Sequence, residues 1–179
     1  VCPARKVSLI NAMLGKTSKA GQLPINEYGT CETDCRIGYQ AAAVRAEAML
    51  RDMGGFDYEL ADEAMKSIAM DDARGVGLMK KYGYIPSEME NNSESKVLEY
   101  AYDDWCIAQV ALPMGKVDDS EYFTERAGYY RNHFDPLVGF MPGLRADGRW
   151  AEPFLPRAVP VLGPGHYPGS HSWQYSLYV

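Results

Sequence analysis

The sequence predicts a mainly α-helical protein: an arc of an α/α barrel, with helical hairpins around a central axis, followed by an irregular segment rich in Gly and Pro. Three observations predict it. Long stretches at 36–53, 58–70, 93–112 and 118–133 carry apolar residues at helical spacing. They form two pairs with one rhythm, at 36–70 and 93–133: long helix, short turn, second helix, long polar loop. In each pair the first helix is rich in Ala, Cys, Trp or Ile and the second is amphipathic, as expected of an inner helix buried on two sides and an outer helix buried on one.

Taken in order, Arg5–Leu14 lines up Val7, Leu9, Ile10, Met13 and Leu14 and is expected to stop in the polar stretch Gly15–Gly21. Residues 23–35 read as irregular, broken by Pro24 and Gly29. Arg36–Met53 reads as a helix whose many Ala residues allow close packing on more than one side, ended by Gly54-Gly55. Asp57 is the expected N-cap of a helix from Tyr58 to Met70, striped by Leu60, Ala61, Ala64, Met65 and Ile68. Gly75, Gly77, Gly83 and Pro86 turn 71–86 into an expected loop. Ser93 or Ser95 caps the next helix, which Pro113 stops at Leu112; Asp118 or Asp119 caps the one that runs to about His133. From Asp135 onward, Gly139-Phe140-Met141 and Asp147-Gly148 read as short extended pieces and turns, and 153–168 as irregular.

Composition narrows the function. The 179 residues hold 46% apolar and 23% charged side chains, as packed proteins do. With 18 Lys and Arg against 24 Asp and Glu, the net charge of -6 argues against a nucleic-acid partner, which needs clustered cations. No apolar run approaches the ~20 residues of a membrane span. The opening Val1-Cys2-Pro3 lacks Met and any signal-like run, and reads as a processed or partial chain. Cys2, Cys31, Cys35 and Cys106 have neither zinc spacing nor the density of a disulfide scaffold, although one or two bridges remain compatible with export. Asn91-Asn92-Ser93 fits a glycosylation sequon. Thirteen Tyr, three Trp and five Phe suit either amphipathic packing or a cleft that stacks on sugar rings.

Chemistry concentrates in Lys96–Cys106. Glu99 and Asp103 stand i, i+4 on one helical face, and Asp104 adds a third negative charge among Leu98, Tyr100, Tyr102, Trp105 and Ile107. Two readings follow: a solvated face compensated by Lys96 and nearby basic residues, or a polar pocket whose carboxylates hold hydroxyls or a metal ion. A second cluster, Glu27, Glu32, Thr33, Asp34 and Arg36, enters the first inner helix, where the helix dipole also favours acids. A third, Ser170-His171-Ser172-Trp173-Gln174-Tyr175, follows a Gly/Pro-rich loop; without a Gly-x-Ser-x-Gly elbow it does not read as a serine hydrolase.

As an ordered series these stretches resemble glycoside hydrolase family 92, the calcium-dependent exo-acting α-mannosidases. The series runs through GTCETDCRIGYQA at 29–41, Gly55-Phe56-Asp57, KYGYIP at 81–86, SKVLEYAYDDWCIA at 95–108 and Tyr122-Phe123. It continues with Phe134-Asp135-Pro136, Gly139-Phe140-Met141, ADGRW at 146–150, Glu152-Pro153-Phe154 and Trp173-Gln174-Tyr175. The resemblance implies that 1–179 is part of an (α/α)6 barrel catalytic domain, with a β-sandwich domain and the remainder of the barrel outside this chain. It implies inverting hydrolysis of terminal α-mannosides by one carboxylic acid and one carboxylate base with a water between them. Calcium is implied as the cofactor, its ligands mostly outside this chain. An α-mannoside or mannose-containing glycan is the implied ligand and the rest of the same polypeptide the implied partner, with no nucleic acid and no membrane span. The implied location is secreted or periplasmic rather than cytoplasmic.

Carried over residue by residue, the resemblance puts the family's general acid in a Glu-Gly-Asn-x-Trp-Gln-Tyr stretch, where this chain has Gly169, Ser170 and His171 before Trp173-Gln174-Tyr175. A substrate-binding Trp-Asp-x-Tyr-Arg stretch would precede Val1, the Gly-Asn-Asp-Asp stretch with the base would follow Val179, and a family His aligns with Gln40. No residue is therefore expected as acid or base, the metal ligands stay unassigned, and the isolated 179 residues are expected to be inactive and not self-sufficient in stability. The residues expected to contact substrate are Glu99, Tyr102, Asp103, Asp104, Trp173 and Gln174, with Glu32 as a weaker candidate. The alternative, motivated by Gly169-Ser170-His171, is a catalytically inactive carbohydrate-binding or structural protein on the same scaffold.

Overall fold

The computed structural model describes residues 3–20, 25, 27–28, 31–32, 36–157, 167 and 170–175, with only the backbone path at 3, 18–20, 27–28 and 31–32. Its elements are α1 (Pro3–Ala20), β1 (Glu27–Tyr28), β2 (Cys31–Glu32), α2 (Ala41–Leu50), α3 (Tyr58–Met70), α4 (Val76–Tyr82), α5 (Ser93–Ala111), α6 (Val117–Ala127), a 3₁₀ turn (Gly128–His133) and α7 (Ser172–Tyr175). They fall into two compact units, residues 1–70 with 102–125 and residues 71–101 with 126–179; α5 and α6 each contribute to both.

In the first unit α1, α2 and α3 pack against one another. Ile10 and Leu14 of α1, Ala42, Ala46 and Met49 of α2, and Ala61, Met65 and Ile68 of α3 are buried, and the small Ala side chains let helix axes approach closely. Helix α1 stops at Ala20, within the expected Gly15–Gly21 stretch but near its end. A Cβ on Gly15 would meet nothing within 4 Å, so the glycine sits in open space, where it costs the helix about 1 kcal/mol without ending it. Helix α2 starts at Ala41 rather than Arg36, because the Tyr39 N–H donates to the Asp103 carboxylate at 2.8 Å. Within the stretch expected to be irregular, β1 and β2 pair antiparallel, Glu27 opposite Glu32 and Tyr28 opposite Cys31.

Helix α3 has its expected limits, with Asp57 Oδ1 accepting the Leu60 N–H at 3.0 Å. Asp62, fully buried on α3, receives Lys116 Nζ at 2.7 Å and Lys66 Nζ at 3.1 Å, and Lys66 also reaches Asp119 at 2.6 Å. Asp118 and Asp119 thus lie in the first turn of α6, where the dipole favours them, rather than at its cap.

In the second unit α4 occupies the expected loop. Gly75 and Gly83 flank it in left-handed conformations, φ 84° and 75°, and serve as its caps. Space at Gly75 is tight as well: a Cβ there would lie 3.0 Å from both Glu90 Cγ and Ile85 Cδ1. Helix α5 ends one residue before the expected Leu112. Its first turn opens on Asn92, whose carbonyl accepts from Lys96 N at 2.9 Å and Ser95 Oγ at 3.0 Å; Ser93 Oγ donates to Glu94. Neither serine hydroxyl is the accepting cap expected of it. Beyond the 3₁₀ turn, single bridges join Asp135 to Phe140 and Leu144 to Trp150, matching the expected short extended pieces. Among the described residues no helix is long and apolar enough to cross a membrane.

Candidate functional site

Helix α5 is buried nearly all round. Val97, Leu98, Tyr100, Ala101, Asp103, Asp104, Ile107 and Ala108 have almost no exposed surface. What stays accessible recurs every three or four residues: half-buried Glu99, exposed Tyr102 and Trp105, half-buried Gln109. That spacing is one narrow stripe along a helix. The Tyr102 and Trp105 rings lie stacked, centroids 6.3 Å apart and planes 18° apart, and present an aromatic surface.

Beneath the stripe Tyr102 shares a hydrogen bond with Cys106, whose thiol burial pushes up to about 11 against that bond's opposing effect. A thiol so shifted is almost wholly protonated at pH 8. Peptide-resolved alkylation of the folded protein should find Cys106 reacting about two orders of magnitude more slowly than a free thiol. Full labelling in native buffer would contradict this placement.

Asp103 and Asp104 turn inward. Asp103 Oδ2 accepts the Tyr39 N–H at 2.8 Å, Asp104 Oδ1 accepts the Tyr39 hydroxyl, and both carboxylates are buried. Adjacent acids on α5 thereby grip one residue by its backbone and its ring tip. Sequence reasoning passed over Tyr39, since nothing local marks a tyrosine as the target of acids over sixty positions away.

In the second unit, Trp173 and Gln174 project from α7 and are exposed. Their support is aromatic and polar. The Trp173 ring meets Phe140 edge-on at 4.9 Å, and Gln174 bonds the Ser170 hydroxyl. Tyr175 packs on Tyr167 at 5.1 Å and hydrogen-bonds Ser95. Burial, followed by the charge of Glu99, raises the Tyr175 phenol above its ordinary pKa, so it remains a neutral hydroxyl beside that carboxylate at neutral pH. Tyr167, buried, donates to the Met141 carbonyl at 2.6 Å and hydrogen-bonds Ser172. Glu99, Trp173 and Gln174 thus belong to one unit with Tyr175 of the third cluster, and Tyr167 joins them as a residue the sequence did not single out.

The Glu32 side chain and Gly169 lie outside the described residues. Among the described residues no three His, Cys, Asp or Glu side chains gather to hold a metal ion, so by themselves these residues do not build a calcium site.

The model of the glycosyl hydrolase family 92 catalytic domain matches residues 1–179. An alpha-mannosidase of that family from Bacteroides thetaiotaomicron, solved in complex with mannoimidazole, is 39% identical with a TM-score of 0.94, covering 99% of this chain and 24% of that one. An inverting mannosidase of the family from Bacteroides thetaiotaomicron VPI-5482 is 28% identical with a TM-score of 0.89 over the same shares. A protein of Arthroderma benhamiae described as an uncharacterized secreted glycosidase is 30% identical over 73% of this chain and 20% of its own length. The chain thus spans about a quarter of the solved chains and a fifth of the fungal relative. Its fold is the expected mainly helical one, a piece of the (α/α)6 barrel architecture carried by these structures.

Proposed function

The chain belongs to glycosyl hydrolase family 92, and on that premise we propose that it forms part of an exo-acting α-mannosidase releasing terminal α-linked mannose with inversion. The observation that carries this reading is the family match over residues 1–179, joined to 39% identity with an alpha-mannosidase solved with mannoimidazole. In this reading 1–179 is one part of the catalytic domain, and a β-sandwich domain and the rest of the barrel belong to the same polypeptide. The general acid and base come from outside the described residues. Within the second unit Glu99 and Gln174 bind sugar hydroxyls and the exposed ring of Trp173 offers a face for the sugar's C–H surface; in the first unit the exposed Tyr102 ring offers an aromatic face of its own. Asp103 and Asp104 act through Tyr39, holding in place the segment that enters α2. Calcium, held by ligands elsewhere in the polypeptide, would supply a hard cation suited to sugar hydroxyls. A secreted or periplasmic location accords with the secreted fungal relative.

The test is mannose release from an α-mannoside by the intact protein, with and without a calcium chelator. Chelator-sensitive release with inversion is expected; mannose binding without release would overturn the reading. Glu99→Gln is expected to lower kcat/KM about 10- to 100-fold, with the thermal midpoint held. An equal loss of stability and activity would make Glu99 a structural residue.

One feature favours a second reading, a catalytically inactive carbohydrate-binding protein on this scaffold. The sequence has Gly169-Ser170-His171 where the resemblance places Glu-Gly-Asn. The same assay separates the two.

A further inference from the structure

Arg45 carries a positive charge into the packed interior of the first unit. Its side chain has no exposed surface, and Ala42, Ala46 and Ala48 of the same helix α2 are buried with it. Nη1 donates to the Ala41 carbonyl at 3.0 Å, one turn back along α2. Nε and Nη2, equally buried, have no hydrogen-bond partner among the described residues. These two nitrogens share one edge of the planar guanidinium, and their N–H bonds run parallel. That edge is the fork with which arginine takes hold of an anion.

The charge is as little answered as the donors. Burial moves the Arg45 pKa down to about 10, and the shift has no other source. The guanidinium therefore stays charged at neutral pH. Glu47, the acid nearest to it in sequence, is turned to Lys6 and Arg51 instead. A buried cation with two bonds unmade is strongly destabilising unless a counter-charge meets it.

The edge also limits what meets it. Full enclosure excludes a sugar or a phosphate ester. One guanidinium balances one negative charge, which selects a monovalent ion over sulfate or phosphate. A water molecule accepts the bonds but brings no charge. The residues three and four places away on the same helical face are Ala41, Ala42, Ala48 and Met49, so three of the four put only a methyl group near the guanidinium. We propose that the Nε–Nη2 edge of Arg45 binds a small monovalent anion of chloride size, a structural ion of the first unit. It enters when α2 opens locally and is enclosed as the helix closes again. The site is independent of the carbohydrate reading.

Amide hydrogen exchange of α2 in the intact protein tests it, in mixtures of sodium chloride and sodium gluconate at constant ionic strength. An ion that binds only the closed form lowers the opening equilibrium in proportion to its concentration above Kd. Exchange should slow about tenfold for each tenfold rise in chloride in that range. Arg45→Met, which keeps a long side chain without the charge, should exchange at one rate throughout. Chloride-independent exchange in the wild type would overturn the site in favour of a water molecule or a carboxylate from elsewhere in the polypeptide. Chloride dependence that survives in Arg45→Met would overturn it equally. Should that variant fail to fold, wild-type crystals soaked in bromide still decide. An anomalous peak within hydrogen-bonding reach of Nε and Nη2 supports the site, and its absence there overturns it.

Discussion

Exchanging Lys66 and Lys116 together for Met is expected to destabilise the intact protein by about 3–5 kcal/mol, because it strands the buried Asp62 carboxylate without either of its cations. Lys116→Met alone should cost less, since Lys66 stays within 3.1 Å of Asp62. Adding Asp62→Leu to the pair should return most of the loss, as an apolar replacement removes the charge that needed compensation. Amide hydrogen exchange in α3 and α6 reads the effect locally, which suits a protein of more than one unit. A double-variant loss below about 1 kcal/mol would mean that Asp62 is satisfied in another way.

The same network sets an alkaline limit. Hydrogen bonds to Asp62 and Glu59 raise the Lys116 pKa above its ordinary value. Burial pulls Lys66 down, but its bonds to Asp119 and Asp62 raise it further. A lysine whose folded pKa is raised contributes stability that is fully present below the unfolded value, about 10.4, and lost as pH climbs through the folded one. Protection of α3 should thus stay level from neutrality to about pH 10 and fall only beyond it.

Asp103→Ala is expected to cost about 2–3 kcal/mol, while Asp103→Asn should cost under about 1 kcal/mol. The reason is the Tyr39 N–H, which needs an acceptor more than a charge: Asn retains a side-chain oxygen and Ala does not. The pair also decides between the two sequence readings of this acid. If Asp103→Asn abolished mannose release while leaving the thermal midpoint unchanged, the charge itself would be serving the sugar, and the structural account would fail.

How much could be read in advance followed the range of the interactions. Helix α3 was legible from Asp57 to Met70 because its cap and its stripe are local. Helix α4 was not, because glycines that look like breakers close a seven-residue helix at both ends. The start of α2 was misplaced because an acid on α5 decides it. For the candidate site, spacing put the acids of 96–106 on one helix, and Tyr102 and Trp173 are exposed. The direction of Asp103 and Asp104 was hidden, since neighbours on a helix point about 100° apart and only the fold shows what each meets. Trp105, counted among apolar neighbours, stands on the accessible stripe beside Tyr102.

The grip of two carboxylates on Tyr39 also imposes an order of assembly. Residues that define the entry to α2 wait for partners 64 and 65 positions downstream. On a ribosome, α1 to α3 can form turns and collapse together, but the lead into α2 has no final place until Asp104 has emerged and α5 has wound. The segment therefore matures late although it is made early. A chain halted between α3 and α5 would lack the two carboxylates that grip Tyr39 at that entry.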